Sequence, residues 1–189
     1  MMLEVETTTL PDVLILTPRR FGDARGWFSE TWNASRMRGE GLDLEWVQDN
    51  HSFSAEVGTV RGLHYQAPPH AQDKLVRCSR GAIRDIVVDA RKGGPTYGRS
   101  LAVKLSAEDG RQILVPKGFL HGFVTISPDT EVQYKVTDFY DAECDGSVAW
   151  DSLDIDWGLE GHRPVLSEKD LNAPAFAHWN SPFRYEKIA

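Results

Sequence analysis

Apolar residues in this chain come in short runs or alternate with polar ones, and the runs recur about every ten residues, separated by Gly, Pro, Asp or Ser. That rhythm is expected of an all-β sandwich or barrel. It predicts strands over 13–17, 27–32, 60–66, 75–79, 83–89, 101–105, 112–115, 121–126 and 131–136. A single short helix is expected over 34–39, stopped by Gly41. No internal repeat or low-complexity linker interrupts the pattern. From Pro164 onward the chain is richer in Pro, Asn and aromatic residues, and 170–189 reads as an irregular tail draped over the sandwich or over a partner subunit.

Alternate residues of a strand point to the same side, so the pattern also sorts side chains by face. Tyr134 shares a side with Val132 and Val136. His64 shares one with Val60, Gly62 and Gln66, and Lys74 with Val76 and Cys78. Three ionisable or phenolic groups are thus expected to point into an otherwise apolar interior, where a polar group needs a partner or a substrate. For any one of them alone a satisfied core residue is the simpler account. Three on separate strands point to a ligand site inside a small barrel.

Length and charge narrow the classes. At 189 residues the chain is expected to be one domain spanning 1–189. The formal charge of −7 argues against a duplex nucleic-acid binder, which needs a basic face. Arg61, Lys74, Arg77 and Arg80 nevertheless gather within one stretch, a grouping suited to a small anion. A solvated strand face is the simpler reading from composition alone. There is no run approaching ~18 apolar residues and no leader-like start, so a cytoplasmic location with no membrane partner is expected. Cys78 and Cys144 lack metal-ligand spacing and are expected to be free thiols.

Gly110, Pro116, Gly118 and His121 have the spacing of the second cupin motif, and the chain resembles that double-stranded β-helix superfamily. The first motif is only half present: His64 is followed by Tyr65 and Gln66, without the second histidine or the glutamate of metal-dependent cupins. Two imidazoles remain, whereas a catalytic metal takes three or more protein ligands. No metal and no cofactor are therefore expected. Side chains are then the acid and base. A neutral histidine with a carboxylate partner suits proton abstraction beside a carbonyl, a buried cation such as Lys74 suits the resulting enolate, and a phenol such as Tyr134 suits return of the proton from the other face.

FGDARGWFSETW, VQDNHSFS, VRGLHYQAPPHAQDKLVR, VPKGFLHGF, YKVTDFY and LSEKD, in this order between about Pro18 and Asp170, resemble the signatures of the dTDP-4-dehydrorhamnose 3,5-epimerases. The resemblance implies a metal-free cupin jelly-roll fold and an isomerase on the path to dTDP-L-rhamnose. Such an enzyme epimerises C3 and C5 of dTDP-4-dehydro-6-deoxy-D-glucose. It implies His64 as general base, Asp170 as its orienting partner, Tyr134 as acid, and Lys74 and His121 lining the sugar pocket. Arg25, Phe28 and Glu30 match nucleotide contacts, some of which reach a neighbouring subunit, implying a homodimer with shared active sites. Gln48, Asn50 and Arg61 match positions that hold the base and diphosphate, and Tyr140, Asp145 and Lys169 match further binding positions. Simpler readings stand beside these: Arg25 capping a turn, Phe28 in the core, Glu30 in a surface pair.

Two departures qualify the match. Asp145 stands where many relatives carry a glutamate. Strict alternation also puts Arg61 on the face opposite His64, so both reach one ligand only if Gly62 breaks the alternation at a bulge. Three rivals stay open at this stage: a mono-epimerase of another 4-keto deoxysugar, a metal cupin using His64 and His121, and a silent sugar-nucleotide binding module.

Overall fold

A computed structural model describes residues 2–186 of the chain. Thirteen strands dominate it: β1 (Leu3–Thr7), β2 (Leu14–Pro18), β3 (Arg20–Asp23), β4 (Gly26–Ser29), β5 (Gln48–Ser54), β6 (Val60–Gln66), β7 (Lys74–Arg80), β8 (Ala82–Asp89), β9 (Ser100–Ser106), β10 (Gln112–Val115), β11 (Phe119–Thr125), β12 (Thr130–Val136) and β13 (Asp145–Ser147). Two short helices, α1 (Ala34–Gly39) and α2 (Glu168–Leu171), and a 3-10 turn at Phe176–His178 complete the elements.

The strands form a six-stranded sheet ordered β1-β2-β10-β7-β12-β5 and a five-stranded sheet ordered β13-β6-β11-β8-β9, with the β3–β4 hairpin separate from both. Consecutive strands repeatedly fall in opposite sheets, as in the jelly-roll sandwich of cupins. Between the sheets lies a core built from inward positions of both, including Val76, Cys78, Ile83, Val87, Ile113, Phe119 and Val132. The outer face of the five-stranded sheet is covered by a second apolar layer, in which Leu63, Ile86, Val88 and Leu120 meet Trp157, Trp179 and Phe183 of the C-terminal chain. The outer face of the six-stranded sheet is covered near α1, where Leu75 and Leu114 meet Met37, Trp32 and Trp46. Asn33 caps α1 by accepting a hydrogen bond from the Arg36 amide at 3.1 Å.

Several boundaries differ from the sequence pattern, for physical reasons. The strand expected over 27–32 stops at Ser29, because it pairs only within its own hairpin. β5 escapes a hydrophobic reading because its residues, QDNHSFS, are mostly polar on both faces, and Tyr134 pairs with Asn50 there. β1 is a five-residue edge strand whose alternation rests on Leu3 and Val5 alone, and β3 and β13 are short hairpin or edge strands with no apolar alternation. The tail is not wholly irregular, since it contains α2 and the 3-10 turn; its last residues, 187–189, lie outside the described ones. It packs on this chain's own sandwich: Trp179 Nε1 donates to the Tyr65 hydroxyl at 3.0 Å, and Ser181 Oγ donates to the Ala90 carbonyl at 2.5 Å. Cys78 and Cys144 are both free.

The face assignment along β6 needs one correction. His121 pairs with His64 and Phe123 pairs with Arg61, so β11 advances two residues while β6 advances three. The extra residue sits at Gly62–Leu63. Gly62 has φ +128°, and a Cβ there would lie 2.6 Å from Gly122 Cα and 2.8 Å from the His121 carbonyl, so only glycine fits. The bulge sends Val60 outward into the layer under the C-terminal chain, rather than inward with His64. In exchange Arg61 joins His64 on the inner side.

Candidate active site

A cavity of about 340 Å³ opens between the sheets, lined by Arg61, His64, Lys74, His121, Tyr134, Lys169 and Asp170, with Ser52, Thr59, Phe123, Val165 and Ser167. A side lobe of about 140 Å³ shares His64, Lys74 and Tyr134 and adds Gln48, Asn50, Gln66, Tyr140 and Asp145. His64 comes from β6 in one sheet and Tyr134 from β12 in the other, so imidazole and phenol stand on opposite walls. Lys74 enters from β7, beside Tyr134's strand, and His121 from β11, beside His64's.

His64 Nε2 lies 2.6 Å from Asp170 Oδ1. Asp170 is only 3% exposed and sits in α2, whose cap Ser167 donates its hydroxyl to Asp170 Oδ2 at 2.8 Å and accepts from the Asp170 amide at 3.2 Å. Burial by itself raises the Asp170 pKa, but the hydrogen bond and charge of His64, the Ser167 hydroxyl and the Lys169 ammonium together hold it below the ordinary value. When His64 is neutral, the ionised Asp170 selects the tautomer that donates Nε2–H to it, and Nδ1 keeps its lone pair. That is the tautomer a general base requires.

Part of the Lys74 side chain borders the open cavity, yet enough protein surrounds its ammonium that burial pulls its pKa down to about 8, against the charges of Asp145 and Asp85 and with that of Lys169. Tyr134 is pushed the other way: burial raises it and the Asp145 charge adds to this, with the Arg61 guanidinium opposing. With His64 in its neutral form the arrangement offers a free ring nitrogen on one wall, and a phenol on the other with the Lys74 amine beside it. These groups suit proton abstraction beside a carbonyl, with the enolate charge neutralised in place.

The polar residues around the lobe hold one another. Gln48 donates to Asn50 Oδ1 at 2.9 Å and accepts from the Tyr140 amide at 3.1 Å; Tyr140 donates its hydroxyl to Asp145 Oδ2 at 3.3 Å. Lys169 pairs with Asp145. Arg61 donates to Ser54 Oγ at 3.2 Å and to the Phe53 carbonyl at 2.9 Å, which fixes the guanidinium along the cavity wall. Tyr140 is 61% exposed, an open ring face at the mouth.

Arg25, Phe28 and Glu30 are not brought to this cavity. They lie on or just after the β3–β4 hairpin, where Arg25 pairs with Asp23 at 2.6 Å and Glu30 with Arg36 at 3.1 Å, while Phe28 is 70% exposed. Two polar residues that hold the site's ionisable side chains in place, Ser167 and Asp85, were not singled out from sequence. Ser167 was signalled by the S-x-x-D spacing of a helix cap. Asp85 was signalled by alternation: it shares the inner face of β8 with Ile83 and Val87, and is a fully buried carboxylate 2.9 Å from His121 Nε2. Among the described residues no group of three or more His, Cys, Asp or Glu side chains is arranged to hold a metal ion, and no helix is long and apolar enough to cross a membrane.

Comparison with known proteins gives concordant results. A family profile described as dTDP-4-dehydrorhamnose 3,5-epimerase matches residues 7–178. The chain is 46% identical over 185 residues to the dTDP-4-dehydrorhamnose 3,5-epimerase of Sinorhizobium fredii, covering 97% of this chain and 94% of that one. It superposes with a TM-score of 0.92 and 38% identity on the dTDP-6-deoxy-D-glucose-3,5-epimerase of Legionella pneumophila in complex with dTDP-4-keto-L-rhamnose, covering 97% and 99% of the two chains. With the dTDP-4-dehydrorhamnose 3,5-epimerase of Bacillus anthracis with TDP and PPi bound, the TM-score is 0.88 at 46% identity, covering 91% and 98%.

Proposed function

Because this chain belongs to the dTDP-4-dehydrorhamnose 3,5-epimerase family, we propose that it converts dTDP-4-dehydro-6-deoxy-D-glucose to dTDP-4-dehydro-L-rhamnose with its own side chains as acid and base. It is an isomerase of nucleotide-linked sugars with a cupin jelly roll. The observation that carries the assignment of roles is the placement of His64 and Tyr134 on opposite walls of one cavity.

C3 and C5 flank the C4 ketone, so each carries an acidic hydrogen. His64 Nδ1 takes the hydrogen from one carbon, and the electron pair of the C–H bond forms the C=C bond of an enolate whose charge rests on O4. Lys74 balances that charge. Tyr134 then returns a proton to the opposite face of the same carbon, which inverts it. His64 gains one proton and Tyr134 loses one, and exchange with solvent resets both before the second carbon reacts. The ring turns so that C3 and C5 are presented in succession to one acid and base pair.

The nucleotide end is assigned to Gln48, Asn50, Tyr140, Asp145, Lys169 and Arg61. Arg61 supplies a planar guanidinium suited to diphosphate oxygens, and Tyr140 an exposed ring suited to stacking on thymine. Arg25, Phe28 and Glu30 serve the cavity of a second copy. Their hairpin pairs with neither sheet of its own chain and displays Trp27 and Phe28, 58% and 70% exposed, which favours a homodimer with shared sites. Free thiols agree with a cytoplasmic enzyme.

Incubation of the purified protein with the 4-keto sugar nucleotide in deuterated water tests the reading. Deuterium is expected at both C3 and C5. Label at one carbon alone identifies a mono-epimerase, and label at neither overturns the assignment.

A further inference from the structure

The Asp85 carboxylate is fully buried, with Oδ2 2.9 Å from His121 Nε2 and Oδ1 buried without a hydrogen-bond partner among the described residues. A half-satisfied buried carboxylate is a poor way to stabilise a fold: an unmet acceptor has given up its water and gained no partner, and an apolar residue of similar size would fill the place better. Asp85 stands behind His121, which lines the cavity, and does not line the cavity itself. It is also one of the two anions whose charge acts on Lys74. His121 in turn is the strand partner of His64. The site therefore holds two histidine–carboxylate pairs on adjacent strands, His64 with Asp170 and His121 with Asp85.

Resting on the epimerase reading, we propose that Asp85 is a positioning residue for the reaction: ionised, it fixes the hydrogen of His121 on Nε2 and helps keep Lys74 an ammonium. The consequence is a division of labour. With Nε2–H donated to Asp85, His121 turns a lone pair on Nδ1 to the sugar and accepts a hydroxyl hydrogen, whereas Lys74 is the group that donates to O4. A neutral Asp85 would reverse this, donating its own hydrogen to Nε2 and leaving His121 with a hydrogen on Nδ1. Burial raises the Asp85 pKa, and the adjacent His121 and the Lys74 ammonium oppose it.

The charges facing Lys74 come from every wall. Asp145 of β13 and Asp85 of β8 raise its pKa, and Lys169 at α2 lowers it. Arg61 and His64 of β6, His121 of β11, Tyr134 of β12 and Asp170 of α2 border the same cavity. Removal of the Asp85 charge leaves burial and Lys169 opposed chiefly by Asp145, so the ammonium is lost at a lower pH.

The test is Asp85→Asn, compared with the parent enzyme for dTDP binding, kcat, KM and the pH dependence of kcat. A carboxylate that orients a functional imidazole is typically worth roughly 10 to 100-fold, so kcat is expected to fall by about that factor with KM and dTDP affinity little changed. The high-pH limb of the profile is expected to move to lower pH, which a merely structural defect does not produce. An unchanged limb, or a kcat within about twofold of the parent, overturns the proposal. If the variant does not fold, nitrogen NMR of the parent protein reads the His121 tautomer directly: a hydrogen on Nε2 supports the proposal and one on Nδ1 overturns it. Absence of solvent exchange in the parent enzyme would instead overturn the epimerase reading itself, so the two failures are distinguishable.

Discussion

Nε2 of His64 lies 2.6 Å from Oδ1 of Asp170, a residue 106 positions later in the chain. The contact joins a central strand to the short helix of the C-terminal segment, and it decides which imidazole nitrogen is free to act as a base. The cap of that helix, Ser167, holds the carboxylate from its other oxygen at 2.8 Å.

His64→Ala is expected to abolish deuterium incorporation at both carbons while dTDP still binds, because the proposed mechanism gives His64 the proton-acceptor role and none of the nucleotide contacts. A folded, dTDP-binding variant that still exchanges both hydrogens would assign the base to another residue.

Lys74 must carry its proton to balance an enolate, and its pKa of about 8 lies well below the ordinary lysine value because burial disfavours the charge. The rate is therefore expected to fall as pH rises through about 8, well before an ordinary lysine titrates. Lys74→Met is expected to lower kcat by roughly 10²–10³, the usual loss when one preorganised donor to a developing oxyanion is removed. A kcat profile flat to pH 10 would remove Lys74 from this role.

The Asp170 carboxyl is held below its ordinary pKa in the folded protein, so the unfolded chain binds the proton more readily. The stabilisation from this charge is fully present above the unfolded value near 3.8 and is lost as pH falls through the lower folded value. Asp170→Asn is expected to lose about 1 to 3 kcal/mol at neutral pH, the worth of a hydrogen bond to a charged group. Urea unfolding at neutral pH and below pH 4 checks this, with the difference between parent and variant expected to narrow in acid.

Gly62→Ala forces a Cβ to within 2.6 Å of Gly122 Cα at a φ of +128°. Backbone strain of this kind costs roughly 1 to 3 kcal/mol before the clash is relieved, so a melting temperature lower by about 2 to 12 °C is expected for a chain of this size. Activity is expected to fall further than stability, because the bulge brings Arg61 and His64 into one cavity. A variant with parental melting temperature and kcat would show that the bulge does not set the geometry.

Much of the architecture was legible in the chain because strand formation leaves a local record. Apolar alternation marked β6 through β12, and the inward sides of Lys74 and Tyr134 followed from counting by two. β5 left no such record, since its polar residues serve the cavity rather than the core. Arg61 could be placed only conditionally, because whether glycine interrupts the pleat depends on how closely β11 approaches β6.

By itself the sequence determined the all-β sandwich and the family, and it pointed to an imidazole and a phenol on separate strands as the candidate base and acid. These are properties of local periodicity and of side-chain chemistry. The tertiary structure alone decided which nitrogen of His64 faces a carboxylate, that Asp85 stands behind His121, and that the Arg25, Phe28 and Glu30 segment lies away from its own cavity. Each of these depends on distances between segments far apart in the chain, and such distances are set by how sheets and tail pack, which no local pattern encodes.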